Sequence, residues 1–452
     1  MKIATWIIVL FLTFTAASCH RGTDNDMAAD VPLSFDVADT IVVHAFTSTV
    51  LSADSFSLDS LTLESLCETV RGRAALFQAG PLKEALQEAA SANTSPEAIH
   101  MIMPAAMELF RWNGDKDFLG SLYEKCLNIP DRTLGNGLLD TGGIDVEETI
   151  DLVTMDALYF KAMSEAADIF GDGVRCAMFH DRARHIVDLI NGTWWNPRAR
   201  QFSEFTSDIS TALKVIGWAE DTYVDPMKSH WAVASGEEFR SRIDENTEQS
   251  KGFKVFNSYL ALLPERYGIS DEDIAAEAIG LIPFFSNKYG IYRIGIQRQD
   301  LCDLDETSSG SPKVSAIATG YAAIAECRYR DFEKSVKYIE LLDNSIRAGV
   351  VNPEDIMAVG IPVVHYLFGI SPDAVSGTVE IAPDIPGQWD YAAISGIRIG
   401  EGSIGVTYQR KGIKETYIIA SSDPLLKITL KCSQDSHELT GKKRYIINHS
   451  NK

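Results

Sequence analysis

Residues 153–197 read VTMDALYFKAMSEAADIFGDGVRCAMFHDRARHIVDLINGTWWNP, and this stretch decides the fold. Its first half, 153–170, is apolar on nearly every side, which is typical of a helix buried all round. Its second half predicts a helix with one exposed face, because charges separate apolar residues at helical spacing: Ala183, Ile186, Val187 and Ile190. Gly171-Asp172-Gly173 between them suits a helix end. The stretch therefore predicts an αα-hairpin with an inner and an outer helix.

The same inner and outer pattern recurs along the chain. Residues 314–329 are again apolar nearly all round, and a one-faced helix follows over 332–346. Further helices are predicted over 57–79, 96–112, 116–128, 208–219, 235–248, 252–267, 270–284 and 353–369. Paired helices without a fixed repeat length favour a closed toroid over a stacked solenoid. We therefore expect a mainly α protein built on an (α/α)6 toroid over residues 57–372.

The hydrophobic pattern changes to a period of two after about residue 376. Apolar residues alternate with polar ones over 404–408 and again over 426–432, which is typical of strands. The sequence predicts a small antiparallel β-domain over 373–440, followed by a polar tail at 441–452. Two earlier segments, VPLSFDV and TIVVHAF, are also β-like, so a short N-terminal β segment is expected within residues 20–56.

The first residues have the pattern of a bacterial lipoprotein signal. A lysine is followed by an apolar run and then by Ala16-Ala17-Ser18-Cys19. Cys19 is the expected lipidation site, which predicts a lipid-anchored protein of the bacterial cell envelope that touches the membrane only through its anchor. The alternative is an ordinary cleaved signal peptide followed by an unmodified cysteine. No later apolar run reaches the length of a membrane-spanning helix.

The composition is that of a globular protein, with 45% hydrophobic and 23% charged residues. The formal net charge of −22 argues against nucleic acid as a partner, which requires a basic surface. The cysteines after Cys19 are far apart, with no CxxC pair and no histidine at ligand spacing, so we expect core cysteines and no structural zinc. No motif predicts a cofactor.

Several short segments resemble the six-hairpin glycosidases, and they follow one another in that family's order. They span about residues 95–420 and read MPAAMEL (103–109), DALYFKA (156–162), TWWNP (193–197), ATGY (318–321), LFGISPD (367–373) and IAPDIP (381–386). The last of these is similar to the β-module of bacterial α-L-rhamnosidase-like and glycogen-debranching-like hydrolases. The resemblance implies a secreted glycoside hydrolase, usually inverting, that acts on an oligosaccharide or polysaccharide.

Inverting hydrolysis needs a general acid and a general base on opposite sides of the sugar, roughly 6.5–9.5 Å apart. By resemblance, Asp145 in the glycine-rich loop before the 150–170 helix is the candidate acid, with Glu147 or Glu148 as the fallback. Val146 stands where the family often has an aromatic residue. The alternative is that these acids only stabilise a helix N-terminus.

Glu354 is the candidate base, since related barrels carry a Pro-Glu pair at the start of their last inner helix. Ordinary helix-start chemistry explains the same pair equally well. A third acidic loop contributes Asp303, Asp305 and Glu306, which could bind sugar hydroxyls, supply the base or hold Ca²⁺, although its spacing is not that of an EF-hand. Further candidates for sugar contacts are His230 and Trp231.

Two other classes of function stay open at this point. A barrel with an incomplete acid loop could be a non-catalytic glycan-binding lipoprotein. It could also be a structural toroid for protein partners, which would present a flat apolar surface. A pair of carboxylates facing each other across a pocket would favour hydrolysis over both.

Overall fold

The computed structural model describes residues 32–93, 95–129, 148–196, 200–202, 205–206, 259–292, 314–432 and 435–450. Twelve α-helices lie in these ranges. Six are outer helices: α1 Thr40–Ala53, α3 Ala79–Ala92, α5 Lys116–Leu127, α7 Gly173–Leu189, α9 Glu272–Leu281 and α11 Phe332–Arg347. Six are inner helices: α2 Leu63–Arg73, α4 Pro96–Asn113, α6 Ile150–Ile169, α8 Leu263–Tyr267, α10 Ala316–Tyr329 and α12 Asp355–Ile361. Outer and inner helices therefore alternate along the chain.

The inner helices form a closed ring. Each contacts the next in the order α2, α4, α6, α8, α10 and α12, and α12 contacts α2 again. Every outer helix packs on the inner ring: α3 and α5 contact α4, α7 contacts α6, α9 and α11 contact α10, and α1 contacts α12. This arrangement confirms the predicted (α/α)6 toroid.

Local sequence explains where the inner helices begin and end. Helix α4 starts with a Ser95 side chain that accepts the Ala98 N–H, and Pro96 occupies its first turn. It stops at Gly114, whose φ of 70° lies in the left-handed region. Helix α6 is buried over most of its circumference, whereas α7 buries only Phe179 and Ala183. This difference in burial is what the sequence pattern predicts for an inner and an outer helix.

The predicted N-terminal β segment is wrong over residues 40–53. Strand β1, Ser34–Val37, lies in the segment predicted as β, but TIVVHAF belongs to helix α1 rather than to a strand. Asp39 caps this helix by accepting the N–H groups of Ile41 and Val42. The helix packs against α11 and α12. Burial against two helices outweighs the strand preference of its β-branched residues.

The β-domain consists of two sheets. The first is antiparallel, in the order β1, β11 Tyr391–Ile399, β12 Gly402–Lys411, β13 Lys414–Ser421 and β16 Arg444–Ser450. The second has the order β15 Asp435–Leu439, β14 Lys427–Cys432, β10 Thr378–Ile381 and β9 Ile370–Asp373. The predicted β-domain is thus confirmed, with one parallel pairing, β10 with β14, inside it. Strand β16 lies within residues 441–452, which the sequence predicts to be a polar tail.

Short strands accompany the loops of the toroid. Strand β2 Glu148–Thr149 pairs with β5 Phe205–Thr206, and β3 Trp195–Asn196 pairs with β4 Gln201–Phe202. Strand β7 Gly290–Tyr292 lies between β6 Ser286–Asn287 and β8 Val314–Ser315. In the part of the chain that the structure describes, no helix has the length and apolar character needed to cross a membrane.

Candidate functional site

The inner helices are parallel, so the toroid has two different mouths. Residues of the first turns of α2, α4, α6 and α8 line one cavity, and residues from the later turns of the same helices line another. We call these ends the N-terminal mouth and the C-terminal mouth.

The cavity at the N-terminal mouth, called here the acidic cavity, has a volume of about 620 Å³. This size is within the range of small-molecule sites in proteins. Among the described residues, four carboxylates line it: Glu64, Glu68, Glu97 and Asp151. Its other lining groups include apolar side chains, two tyrosines, a hydroxyl and an amide: Met101, Met155, Leu263, Tyr267, Tyr321, Ser95 and Asn93. Flat rings beside carboxylates and other polar groups suit the mixed apolar and polar faces of a sugar.

Three of the four carboxylates lie in the first turn of an inner helix. Glu64 belongs to α2, Glu97 to α4 and Asp151 to α6. The helix dipole favours negative charge at these positions. Asp151 is only 2% exposed, and both carboxylate oxygens of Glu64 accept the Tyr259 hydroxyl, at 2.9 and 3.0 Å. These carboxylates are therefore held in place by helix starts and by a buried hydroxyl.

A buried charged cluster closes the acidic cavity on the side of the C-terminal mouth. Glu68 accepts hydrogen bonds from Arg71 and from the Tyr267 hydroxyl, and its other oxygen lies 3.2 Å from Nη2 of Arg266. Burial opposes ionisation of Glu68, but Arg71 and Arg266 outweigh it and lower its pKa. Burial raises the pKa of the nearby Tyr321 well above its ordinary value. We call Glu68, Arg71, Arg266 and Tyr267 the partition, because Arg71 and Tyr267 line cavities on both sides of it.

Glu354 lies immediately before α12, at the same mouth. It is 8% exposed, and its Oε1 accepts a hydrogen bond from the Ser65 hydroxyl. Ser65 follows Glu64, which lines the acidic cavity, but Glu354 is itself not one of the lining residues. The next residue, Asp355, accepts the Asn352 N–H at 2.8 Å, and burial raises its pKa to about 7.

Of the acid-loop candidates, the structure describes only Glu148. It lies in β2, is 8% exposed, and its Oε1 accepts the Thr149 N–H at 3.2 Å. It does not line the acidic cavity. The remaining candidates lie outside the described residues: Asp145, Glu147, His230, Trp231, Asp303, Asp305, Glu306 and Cys19.

The sequence motifs do not single out Glu64, Glu97 and Asp151, although a weaker signal is present. Each follows two residues after a threonine or serine that precedes an inner helix: Thr62, Ser95 and Thr149. A cap residue with an acid two positions later is common at helix starts, so the pattern alone does not separate structural acids from those lining a site.

No protein-family model matches the chain, and no curated protein matches it in sequence. Solved structures do match in fold. A sialidase matches with a TM-score of 0.61 and 12% identity, over 92% of this chain and 43% of its own. The α-L-rhamnosidase of Aspergillus terreus matches with a TM-score of 0.55 and 11% identity, over 94% of this chain and 50% of its own.

A third solved structure, the α-L-rhamnosidase of Dictyoglumus thermophilum, has a TM-score of 0.52 and 10% identity, over 93% of this chain and 49% of its own. The chain spans half or less of the length of these structures. Their likeness shows that the chain has the helical-barrel fold, an (α/α)6 toroid, that the sequence predicts.

Proposed function

We propose that this protein processes glycans, and that it removes a terminal sugar from an oligosaccharide or polysaccharide bound at the N-terminal mouth. The observation that carries the proposal is the acidic cavity, where carboxylates from successive inner helices meet beside tyrosine rings. Hydrolysis of a glycosidic bond requires two carboxyl groups placed around one sugar. The glycosidase-like fold supports this reaction class but does not identify the sugar.

The positions of α6 and α12 in the ring support an inverting mechanism. They are the third and sixth of the six inner helices, so their N-terminal ends lie on opposite sides of the mouth. In the sequence Asp145 stands five residues before Ile150, the first residue of α6, and Glu354 directly precedes α12. We propose Asp145 as the general acid and Glu354 as the general base. Asp151 and Glu64 would then bind sugar hydroxyls.

A second candidate function is glycan binding without hydrolysis. Two observations favour it. Val146 stands at the aromatic position of the family's acid loop, and Glu354 is engaged by Ser65 without lining the acidic cavity.

Hydrolysis of a panel of aryl and natural glycosides distinguishes the two functions. Asp145→Asn and Glu354→Gln should each lower kcat/KM by about 10²–10⁴, the usual contribution of a general acid or base. Asp151→Asn and Glu64→Gln should chiefly weaken binding. Matched controls are Asp273→Asn and Glu272→Gln, exposed acids in the first turn of an outer helix.

If the wild-type protein cleaves one glycoside and the Asp145→Asn and Glu354→Gln variants cleave it equally fast, the assigned roles are wrong. Binding of a glycan by the wild-type protein without cleavage of any substrate would establish the binding function instead. Loss of folding is excluded separately by comparing the far-UV circular dichroism of each variant with that of the controls.

We also propose that the mature protein is anchored in the bacterial cell envelope by a lipid on Cys19. The support is the Ala16-Ala17-Ser18-Cys19 segment after an apolar run. Metabolic labelling with a fatty acid in a bacterial host should mark the wild-type protein and leave Cys19→Ala unlabelled. A mature protein that retains Cys19 with an unmodified thiol, found by mass spectrometry, would instead indicate an ordinary cleaved signal peptide.

A further inference from the structure

A second cavity, called here the cationic cavity, lies at the C-terminal mouth of the toroid. Its volume is about 280 Å³. The residues that line it come from the later turns of α2, α4, α6, α8 and α10 and from the turn after α12. Five of them are cations: Arg71, Arg111, Lys161, Arg266 and Arg328. Such a cluster is unexpected in a chain with a net charge of −22.

Among the described residues, two carboxylates line this cavity, and both are bound by one of the cations. Nη1 of Arg111 lies 2.8 Å from Glu108, and Nη2 lies 2.5 Å from Glu165. Glu108 also accepts the Trp112 Nε1–H at 3.3 Å. Burial opposes ionisation of Glu108, but Arg111 and His365 outweigh it and lower its pKa to about 2. Arg111 is thus neutralised within the wall, whereas the other four cations are not paired with these acids.

Two of the remaining cations share a single carboxylate. Arg71 and Arg266 both contact Glu68 in the partition. Their side chains are only 6% and 4% exposed, yet Nη2 of Arg71 and Nε of Arg266 have no hydrogen-bond partner among the described residues. Buried donors in proteins almost always have an acceptor. Within the described residues, these two guanidinium groups therefore share one carboxylate, and each keeps one nitrogen without an acceptor.

The last two cations lie at the rim of the cavity. Lys161 and Arg328 are exposed, and neither forms an ion pair with a residue in the described ranges. Helix dipoles favour cations near helix C-termini, which is sufficient to explain exposed rim residues. The dipole does not supply hydrogen-bond acceptors to buried guanidinium groups. Burial lowers the pKa of His365, which disfavours its charged form.

We propose that the cationic cavity is a binding site for a small oxyanion, namely a phosphate, sulfate or carboxylate group. Such an anion is attracted by the positive charges of Arg71 and Arg266 at the base of the cavity and is enclosed by Lys161 and Arg328 at its rim. Oxyanions match the planar donor array of arginine. The site is separated from the acidic cavity by the partition, so it does not depend on the proposed hydrolysis.

Isothermal titration at low ionic strength tests this proposal directly. Inorganic phosphate, inorganic sulfate and glucuronate are titrated into the full protein, with glucose as the neutral counterpart of glucuronate. At least one of the three anions should bind, and glucose should not bind at this mouth. The anion that binds most tightly separates a tetrahedral oxyanion from a carboxylate as the preferred ligand.

The double variant Lys161→Gln/Arg328→Gln should weaken anion binding by about tenfold or more for each cation removed, as expected for hydrogen bonds to charged groups. Both residues are exposed, so the variant is expected to fold. The matched control removes two exposed cations elsewhere, Lys334 and Arg184, by Lys334→Gln/Arg184→Gln.

The Asp151→Asn variant distinguishes this site from the proposed active site. It changes a residue of the acidic cavity only and should leave anion binding unchanged. Absence of binding for all three anions would overturn the proposal. So would an equal loss of binding in the control variant, because that result would indicate attraction by surface charge in general.

Discussion

The two mouths of the toroid are built from the same helices but have opposite chemistry. Carboxylates gather where α2, α4 and α6 begin, and guanidinium groups gather where α2, α8 and α10 end. Each group lies where the helix dipole favours its charge. A ring of parallel helices therefore gathers carboxylates at one end and guanidinium groups at the other, without any change of fold.

The partition keeps the two chemistries apart. Glu68 supplies the negative charge that Arg71 and Arg266 need, and Tyr267 contacts both Glu68 and Arg71. Because Arg71 and Tyr267 line both cavities, the partition is one layer of side chains thick at this point. The difference between the mouths thus depends on a few buried residues.

The largest effect is expected when the partition loses its only carboxylate. Glu68→Gln preserves shape but leaves the Arg71 and Arg266 guanidinium groups buried without a counter-charge. Removal of one partner from a buried ion pair costs about 3–5 kcal/mol. Urea unfolding should therefore show a loss of that size, whereas the exposed Glu272→Gln should stay within about 0.5 kcal/mol of wild type. A loss below about 1 kcal/mol for Glu68→Gln would show that Glu68 is not the counter-charge on which the buried Arg71 and Arg266 depend.

The next effect concerns Glu265, the neighbour of Arg266 on α8. It is fully buried, and burial raises its pKa from 4.5 to about 8. Between these values the unfolded chain releases the proton and the folded chain keeps it, so wild-type stability falls as pH rises through this range. Glu265→Gln cannot ionise, so its free energy of unfolding should rise relative to that of wild type across the same range. The difference should be on the order of 3 kcal/mol at pH 7.

The comparison is made by unfolding both proteins at several pH values from 4 to 9. The difference between them should be small near pH 4 and should stop growing above about pH 8. A difference that is constant with pH would mean that Glu265 is ionised in the folded protein.

The third prediction concerns the contact between α2 and α12, which closes the ring between the mouths. A Cβ on Gly72 would lie 2.5 Å from the backbone nitrogen of Met357, so the two helices must move apart. Gly72→Ala should destabilise the protein by about 1–3 kcal/mol, as overpacking does. Gly80→Ala is the matched control in outer helix α3, where a Cβ meets nothing within 4 Å. Thermal unfolding should show no loss of stability for Gly80→Ala. An equal loss of stability in both variants would argue against a tight contact between α2 and α12.

The fold could be predicted from the sequence because its signals are local. Helix α4 was predicted over 96–112 and spans Pro96–Asn113, since a serine cap, a first-turn proline and a left-handed glycine mark its ends. Helix α1 was missed for the opposite reason. Its β-branched residues favour a strand, and only packing against α11 and α12 makes the segment helical.

The sites were harder to predict because they assemble residues that are distant in sequence. Arg71, Arg266 and Arg328 line one cavity although long segments separate them in the chain. No periodic pattern links them, and only the closed ring brings them together. The resemblance to a family indicated Glu354, but it gave no indication of Asp151, which lines the acidic cavity.

The smallest effect is expected from the helix caps at the N-terminal mouth. The Thr62 hydroxyl accepts the Ser65 N–H, and the Ser95 hydroxyl accepts the Ala98 N–H, so both hold first turns that carry cavity carboxylates. Thr62→Ala or Ser95→Ala should cost about 1 kcal/mol in urea unfolding. Ser57→Ala is the control, because Ser57 precedes a short 3-10 turn without a side-chain capping bond. If the cap variants lose no more stability than Ser57→Ala, packing alone positions the carboxylates at this mouth. The helix starts would then not explain why carboxylates gather there.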